Sequence, residues 1–184
     1  MDEIVDELIE AVIEREGGYV DHPADRGGAT RWGITEAVAR RHGWRGSMRA
    51  FPRDEAVAIY RRLYWYRPGL EAVAARAPRL AAEMFDTGVN MGPPVAIGFL
   101  QRALNALNRG ATDHADLTID GRIGPATLAA IDAFLAIRRA VGEGVLVKAV
   151  DALQGERYIA LAERRPANEA FLYGWLAQRI GEPA

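Results

Sequence analysis

The 184-residue sequence contains no cysteine, which excludes disulfide staples and thiolate metal sites and suits a reducing cytoplasm. Histidine is nearly as scarce. His22, His42 and His114 are scattered without metal-ligand spacing, so each is expected in solvent or in a local hydrogen bond. No metal or organic cofactor is implied. An excess of one charge is missing too: 23 basic residues against 25 acidic leave a net charge of -2, with no electrostatic footprint for nucleic acid. No apolar run is long enough to span a bilayer, and Met1-Asp2-Glu3-Ile4-Val5-Asp6-Glu7 is acidic where a secretory leader would be basic. The expectation is synthesis in the cytoplasm without a Sec signal and without stable membrane insertion. What the chain does have is apolar residues, at 49% of the total, enough for one good core or for a main domain with a small satellite.

The stretch that organises the sequence runs from Glu16 to Thr35. Ahead of it, Val5, Ile9, Val12 and Glu16 recur at helical spacing, so Glu16 continues an apolar stripe, while Glu7, Glu10 and Glu14 fall on other faces. Gly17-Gly18 is the usual left-handed stop, which puts Glu16 in the last helical turn, at the carbonyl end of the dipole. A core-facing position and that helix end both favour the protonated form a general acid needs. The next residues are too rich in Gly, Asp and Pro for a helix. Val20-Asp21 and Ala29-Thr30-Arg31-Trp32 are expected as the arms of a small hairpin, turning through Pro23 to Gly28. Asp25 and Thr30 would then hang near the helix end that carries Glu16. One acid, a second carboxylate and a hydroxyl form much the same set that glycoside hydrolysis requires.

These residues resemble the signature of glycoside hydrolase family 108, the lysozyme-like N-acetylmuramidases of phages, prophages and bacterial secretion clusters. The run is also similar to the phage-lysozyme pattern of Glu, eight residues, Asp, five residues, Thr. Glu16 to Asp25 keeps the eight, while Asp25 to Thr30 has four. The resemblance implies a peptidoglycan hydrolase of endolysin type that cleaves the β-1,4 bond between N-acetylmuramic acid and N-acetylglucosamine. Glu16 would be the general acid, Asp25 or Asp21 the second carboxylate, and Thr30 a hydroxyl that orients water. Tyr19 and Trp32, from the same run, are expected to contact substrate. Such an enzyme would reach the wall, in the periplasm or outside, through a holin or a dedicated secretion route.

Further along, Thr35 is a natural N-cap for a short helix over 36–41. Asp54 is expected to cap a helix to about Tyr66, with Tyr60 and Tyr64 in the core and Trp65 or Tyr66 on a cleft wall. Pro78 opens another helix, in which Phe85-Asp86-Thr87-Gly88-Val89-Asn90-Met91-Gly92 again resembles the family. Asp86 and Asn90 are expected either to line the cleft or to tie helices together. A helix over 95–108 follows, with Gln101 as the polar member of an apolar neighbourhood. Asp120-Gly121-Arg122-Ile123-Gly124-Pro125-Ala126-Thr127 is similar to an element of predicted peptidoglycan-binding domains, although turn-and-cap chemistry alone explains those residue types. Helices over 126–141, 143–165 and 169–180 complete the chain, the last capped by Asn168 and matching the family at Gly174-Trp175 and Arg179.

The fold expected is mainly α, a lysozyme-like helical fold with a small β-hairpin beside the active-site cleft. Its domains are read as a catalytic part over 1–94 and a helical, peptidoglycan-binding part over 95–184. The competing reading is a wall-binding or secretion-accessory protein, a secretion activator, that keeps the fold without turnover.

Overall fold

The computed structural model describes residues 2–21 and 28–181, so Asp25 and the rest of the expected hairpin turn lie outside the described residues. Contacts divide the chain into two compact units, Met1–Arg67 and Pro68–Ala184.

The first unit opens with α1 (Asp2–Glu16), which buries Val5, Ile9, Val12 and Ile13 along one face, as the apolar spacing requires. Gly17, at φ +73°, ends it in the left-handed region. A three-stranded antiparallel sheet follows: β1 (Tyr19–Val20), β2 (Thr30–Arg31) and β3 (Ile34–Thr35), in that order. Tyr19 pairs with Arg31 and Val20 with Thr30; Arg31 then pairs with Ile34 and Thr30 with Thr35. The expected arms are therefore present, shifted to Tyr19–Val20, but a second hairpin joins them. Its two-residue turn is Trp32-Gly33, both at positive φ (54° and 73°), which matches the twist of the flanking strands. Trp is not a usual left-handed residue, which is why this turn and β3 escaped the sequence pattern.

Thr35 accepts a hydrogen bond from the Val38 amide at 3.3 Å and caps α2 (Glu36–Arg41), as read from sequence. A 3₁₀ turn, Met48–Ala50, leads to α3 (Arg53–Tyr60). Its N-cap is Pro52 rather than Asp54, whose carboxylate sits in the first turn and makes no cap bond. The helix then widens into a π turn over Arg61–Tyr66, closed by an Arg67 amide bond to the Arg62 carbonyl at 3.0 Å. That extra residue per turn resets the faces. Tyr60 and Trp65, five apart, are both buried, while Tyr64 is half-buried.

The second unit is helical: α4 (Leu70–Ala74), α5 (Pro78–Met91), α6 (Pro93–Ala106), α7 (Pro125–Arg138), α8 (Gly142–Arg164) and α9 (Glu169–Arg179). Proline stands in the first turn of α5, α6 and α7, where its missing N–H costs nothing. α4, absent from the sequence reading, buries Leu70 and Val73. The centre is α5, whose Leu80, Ala81, Met84 and Phe85 are buried and which packs on α4, α6 and α8. Residues on either side of 94 thus pack in one body. α8 runs through Gly155 unbroken, and that glycine is buried, with an added Cβ falling 3.7 Å from Ile180 Cδ1. Asn168 is not the side-chain cap of α9; its amide instead donates to the Leu161 carbonyl at 2.9 Å. On α9 Phe171 is exposed and Trp175 is half-buried, stacked on Tyr158 with ring centroids 5.3 Å apart.

Candidate active site

Glu16 stands where the sequence put it, at the last residue of α1. The burial expected of it is not found: its side chain is exposed, because the helix ends there and Gly17 turns the chain away from the core. Its stem nevertheless has a defined neighbour. A Cβ added to Gly33 would fall 2.9 Å from Glu16 Cγ and 2.2 Å from Tyr60 Oη. Only a residue without a side chain lets the end of α1, the β2–β3 turn and the end of α3 meet so closely, and only glycine holds φ +73° without strain there. Tyr60 secures the same turn by donating its hydroxyl to the Trp32 carbonyl at 3.2 Å. The Trp32 indole N–H donates to the Phe51 carbonyl, also at 3.2 Å, which fixes the half-buried ring.

Around this turn the surface is cationic and aromatic. The Arg31 guanidinium lies 5.1 Å from the centre of the Trp32 ring and donates to the Arg49 carbonyl. Arg49 in turn lies 4.3 Å over the Tyr19 ring. The Tyr19 hydroxyl donates to Asp21 Oδ2 at 2.8 Å, and that bond to an anion is the main reason its phenol is pushed up. Thr30, on β2, donates to the Gly28 carbonyl at 3.4 Å. The structure therefore gathers Glu16 with the Trp32-Gly33 turn, and carries Tyr19 and Thr30 on the adjoining strands. Gly33 and Tyr60 were missed as site residues. A Trp-Gly pair between two short polar-apolar runs was the available signal for the first.

Trp65 does not belong to this surface. At 1% exposure it is core, turned inward by the π turn, so the expectation of a cleft-wall ring is corrected; Tyr66, at 46%, is the exposed aromatic of that segment. Asp86 and Asn90 are in the other compact unit. Arg179 Nη1 on α9 lies 3.4 Å from both Asp86 oxygens, and Asn90 donates its amide to the Tyr158 hydroxyl on α8. Both side chains thus brace α5 against neighbouring helices. Between them Thr87, fully buried, donates to Gln154 Oε1 at 2.5 Å, and Gln154 donates to Tyr158 at 3.0 Å. Glu83, one turn earlier on α5, is pushed up to about 7 by burial and by the nearby Asp151 and Asp86.

The Asp120–Thr127 element is clamped by Gln101, which is buried in α6. Its Nε2 donates to Asp120 Oδ1 at 2.8 Å and to the Arg122 carbonyl at 3.1 Å, while its Oε1 accepts from the Gly121 amide at 3.0 Å. The Gln101 bond and the Arg122 amide hold the Asp120 carboxyl below the usual range. Gly121, at φ +68°, passes so close to α6 that an added Cβ would fall 2.7 Å from the Pro94 carbonyl oxygen.

The family model described as Glycosyl hydrolase 108 matches residues 9–92, the segment that holds Glu16, the sheet and the α5 motif. Residues 9–92 belong to glycosyl hydrolase family 108. The model described as Predicted Peptidoglycan domain takes up the chain at residues 95–180. Among solved structures, SagA of Brucella abortus is similar, at 25% identity over 97% of this chain and 90% of that one, with a TM-score of 0.68. No curated protein matches the chain. With these relationships the mainly α architecture is lysozyme-like. A glycosyl hydrolase 108 segment followed by a peptidoglycan domain makes this a glycoside hydrolase that acts on peptidoglycan.

Proposed function

We propose that the protein is an N-acetylmuramidase, cutting the β-1,4 bond from N-acetylmuramic acid to N-acetylglucosamine, with Glu16 as general acid. The observation that carries this reading is the approach of the Glu16 stem to Gly33 and Tyr60. A carboxylate-bearing side chain at a helix end is thereby given one firm wall on an exposed residue. In the proposed reaction Glu16 protonates the leaving glycosidic oxygen, and a second carboxylate faces the oxocarbenium-like carbon. Asp21 is engaged by the Tyr19 hydroxyl, which supports leaving the second role to Asp25. Thr30 would orient the water, and Tyr19 and Trp32 would hold sugar rings on the cationic and aromatic surface beside the turn. A carboxyl separation of roughly 5 Å would make the enzyme retaining, and roughly 6.5 Å or more would make it inverting.

The functional division proposed is a catalytic part over 1–94 and a wall-binding part over 95–184, which the extents of the two family models support. Delivery to the wall by a holin or a secretion route, as for a phage or prophage endolysin, belongs to the same proposal. The test is clearing of purified peptidoglycan by the wild type and by Glu16→Gln. Loss of clearing in a folded variant that still binds the wall supports the reading, and equal clearing by the two overturns it. Reduction of the new sugar ends followed by mass spectrometry decides the bond. Muramitol ends are expected, and glucosaminitol ends would make it a different glycosidase.

A further inference from the structure

The second unit holds a cavity of about 670 Å³ between the 114–118 loop, the Asp120–Thr127 turn and the first turns of α7. That volume is within the range of about 300–1,000 Å³ usual for small-ligand sites. Peptidoglycan presents two chemistries to a protein: pyranose rings, gripped through their apolar faces by aromatic side chains, and short peptides with small methyl side chains and free charges. Among the described residues, no Phe, Tyr or Trp lines this cavity. Its apolar wall is instead Ala126, Ala129, Ala130 and Ala133 along α7, together with Leu117 from the 114–118 loop. Such a wall has room for methyl groups and nothing on which to stack a ring.

The polar groups point the same way. Arg122 lines one side, next to the amino end of α7, whose N-cap Gly124 supplies no side-chain bond; guanidinium and helix end together attract a carboxylate. Asp116 and Asp120 supply the opposite sign. His114 also lines the cavity. Its Nδ1 lies 2.9 Å from the Ala115 carbonyl, a contact that holds the imidazole against its own loop. Both signs of charge and a wall of alanines fit a zwitterionic peptide and not a neutral N-acetylated sugar.

We propose that this cavity seats the peptide arm of peptidoglycan, with a carboxylate at Arg122 and the α7 amino end and an ammonium toward Asp116. The proposal rests on the reading of the chain as a peptidoglycan hydrolase and specifies which part of the polymer the second unit holds. The test titrates the full chain with the pentapeptide L-Ala-D-γ-Glu-L-Lys-D-Ala-D-Ala by calorimetry, with tetra-N-acetylglucosamine as competitor. Binding is expected to weaken at least fivefold in Ala129→Leu, which fills the exposed end of the wall, and in Arg122→Gln, which keeps the backbone bonds of the turn. Thermal midpoints close to wild type would show that both variants fold. Unchanged affinity in Arg122→Gln, displacement by the sugar tetramer, or no binding at millimolar peptide overturns the proposal. Clearing of peptidoglycan by the wild type, measured alongside, separates the two readings. Clearing without peptide binding removes only this site, and peptide binding without clearing removes only the hydrolase assignment.

Discussion

Gly33 carries more of the proposed site than its size suggests. A methyl group there meets the Tyr60 hydroxyl and Glu16 Cγ and must hold φ +73° besides, so Gly33→Ala is expected to destabilise the protein by about 1–3 kcal/mol and to lower clearing activity. Removing the hydroxyl relieves one of the two contacts. Gly33→Ala/Tyr60→Phe should therefore lose less stability in urea than the sum of the single variants, and strict additivity would show that the contact is not made. Trp65 and Tyr66 offer a second contrast between adjacent rings. Trp65→Ala should cost about 3–5 kcal/mol and Tyr66→Ala little, by thermal unfolding, because only the first leaves a hole in the core. The sequence could not separate that pair. α-Helical spacing pairs Tyr60 with Tyr64, and the one-residue slip that turns Trp65 inward is a backbone event with no residue signature. The place of Glu16 was legible because an apolar stripe and a Gly-Gly stop both fix it; its exposure was not, since the stripe ends at that residue.

Most helices could be read from their apolar spacing and their proline starts, and the misread capping residues, Asp54 and Asn168, failed for a common reason. Each helix is preceded by a 3₁₀ turn that local spacing does not announce, Met48–Ala50 before α3 and Pro166–Asn168 before α9. α5 makes a prediction of its own through Glu83. The folded state holds this proton to about pH 7, whereas an unfolded glutamate releases it near the ordinary 4.5. Between those values the folded chain binds the additional proton, so stability falls as pH rises from about 4.5 to 7 and levels off above. The span corresponds to about 3–4 kcal/mol at most. Urea unfolding at pH 5 and pH 8 should show that fall in the wild type, and Glu83→Gln should flatten it. A variant with the wild-type pH profile would place the titration elsewhere.

At the scale of the whole molecule, the chain divides by compactness at Arg67 and Pro68, while the two family models meet near residue 94. The two divisions make different fragments. Residues 68–184 keep α5 between α4, α6 and α8, and are expected to unfold cooperatively when expressed alone. Residues 95–184 lack that central helix, leave the facing sides of α6 and α8 bare, and should show no sharp thermal transition. A cooperative 95–184 fragment would mean that α5 is dispensable to the packing of the second unit. The sequence motifs locate family segments, and packing is set by long-range contacts that no local pattern contains. The clamp on the Asp120–Thr127 turn has a consequence of the same long-range kind. Because the Gly121 amide is held by a glutamine inside α6, its hydrogen should exchange with deuterated solvent as slowly as those of the helix, although it belongs to no regular element. That loop should lose its protection in a single step when α6 opens, and should not fray from its own ends.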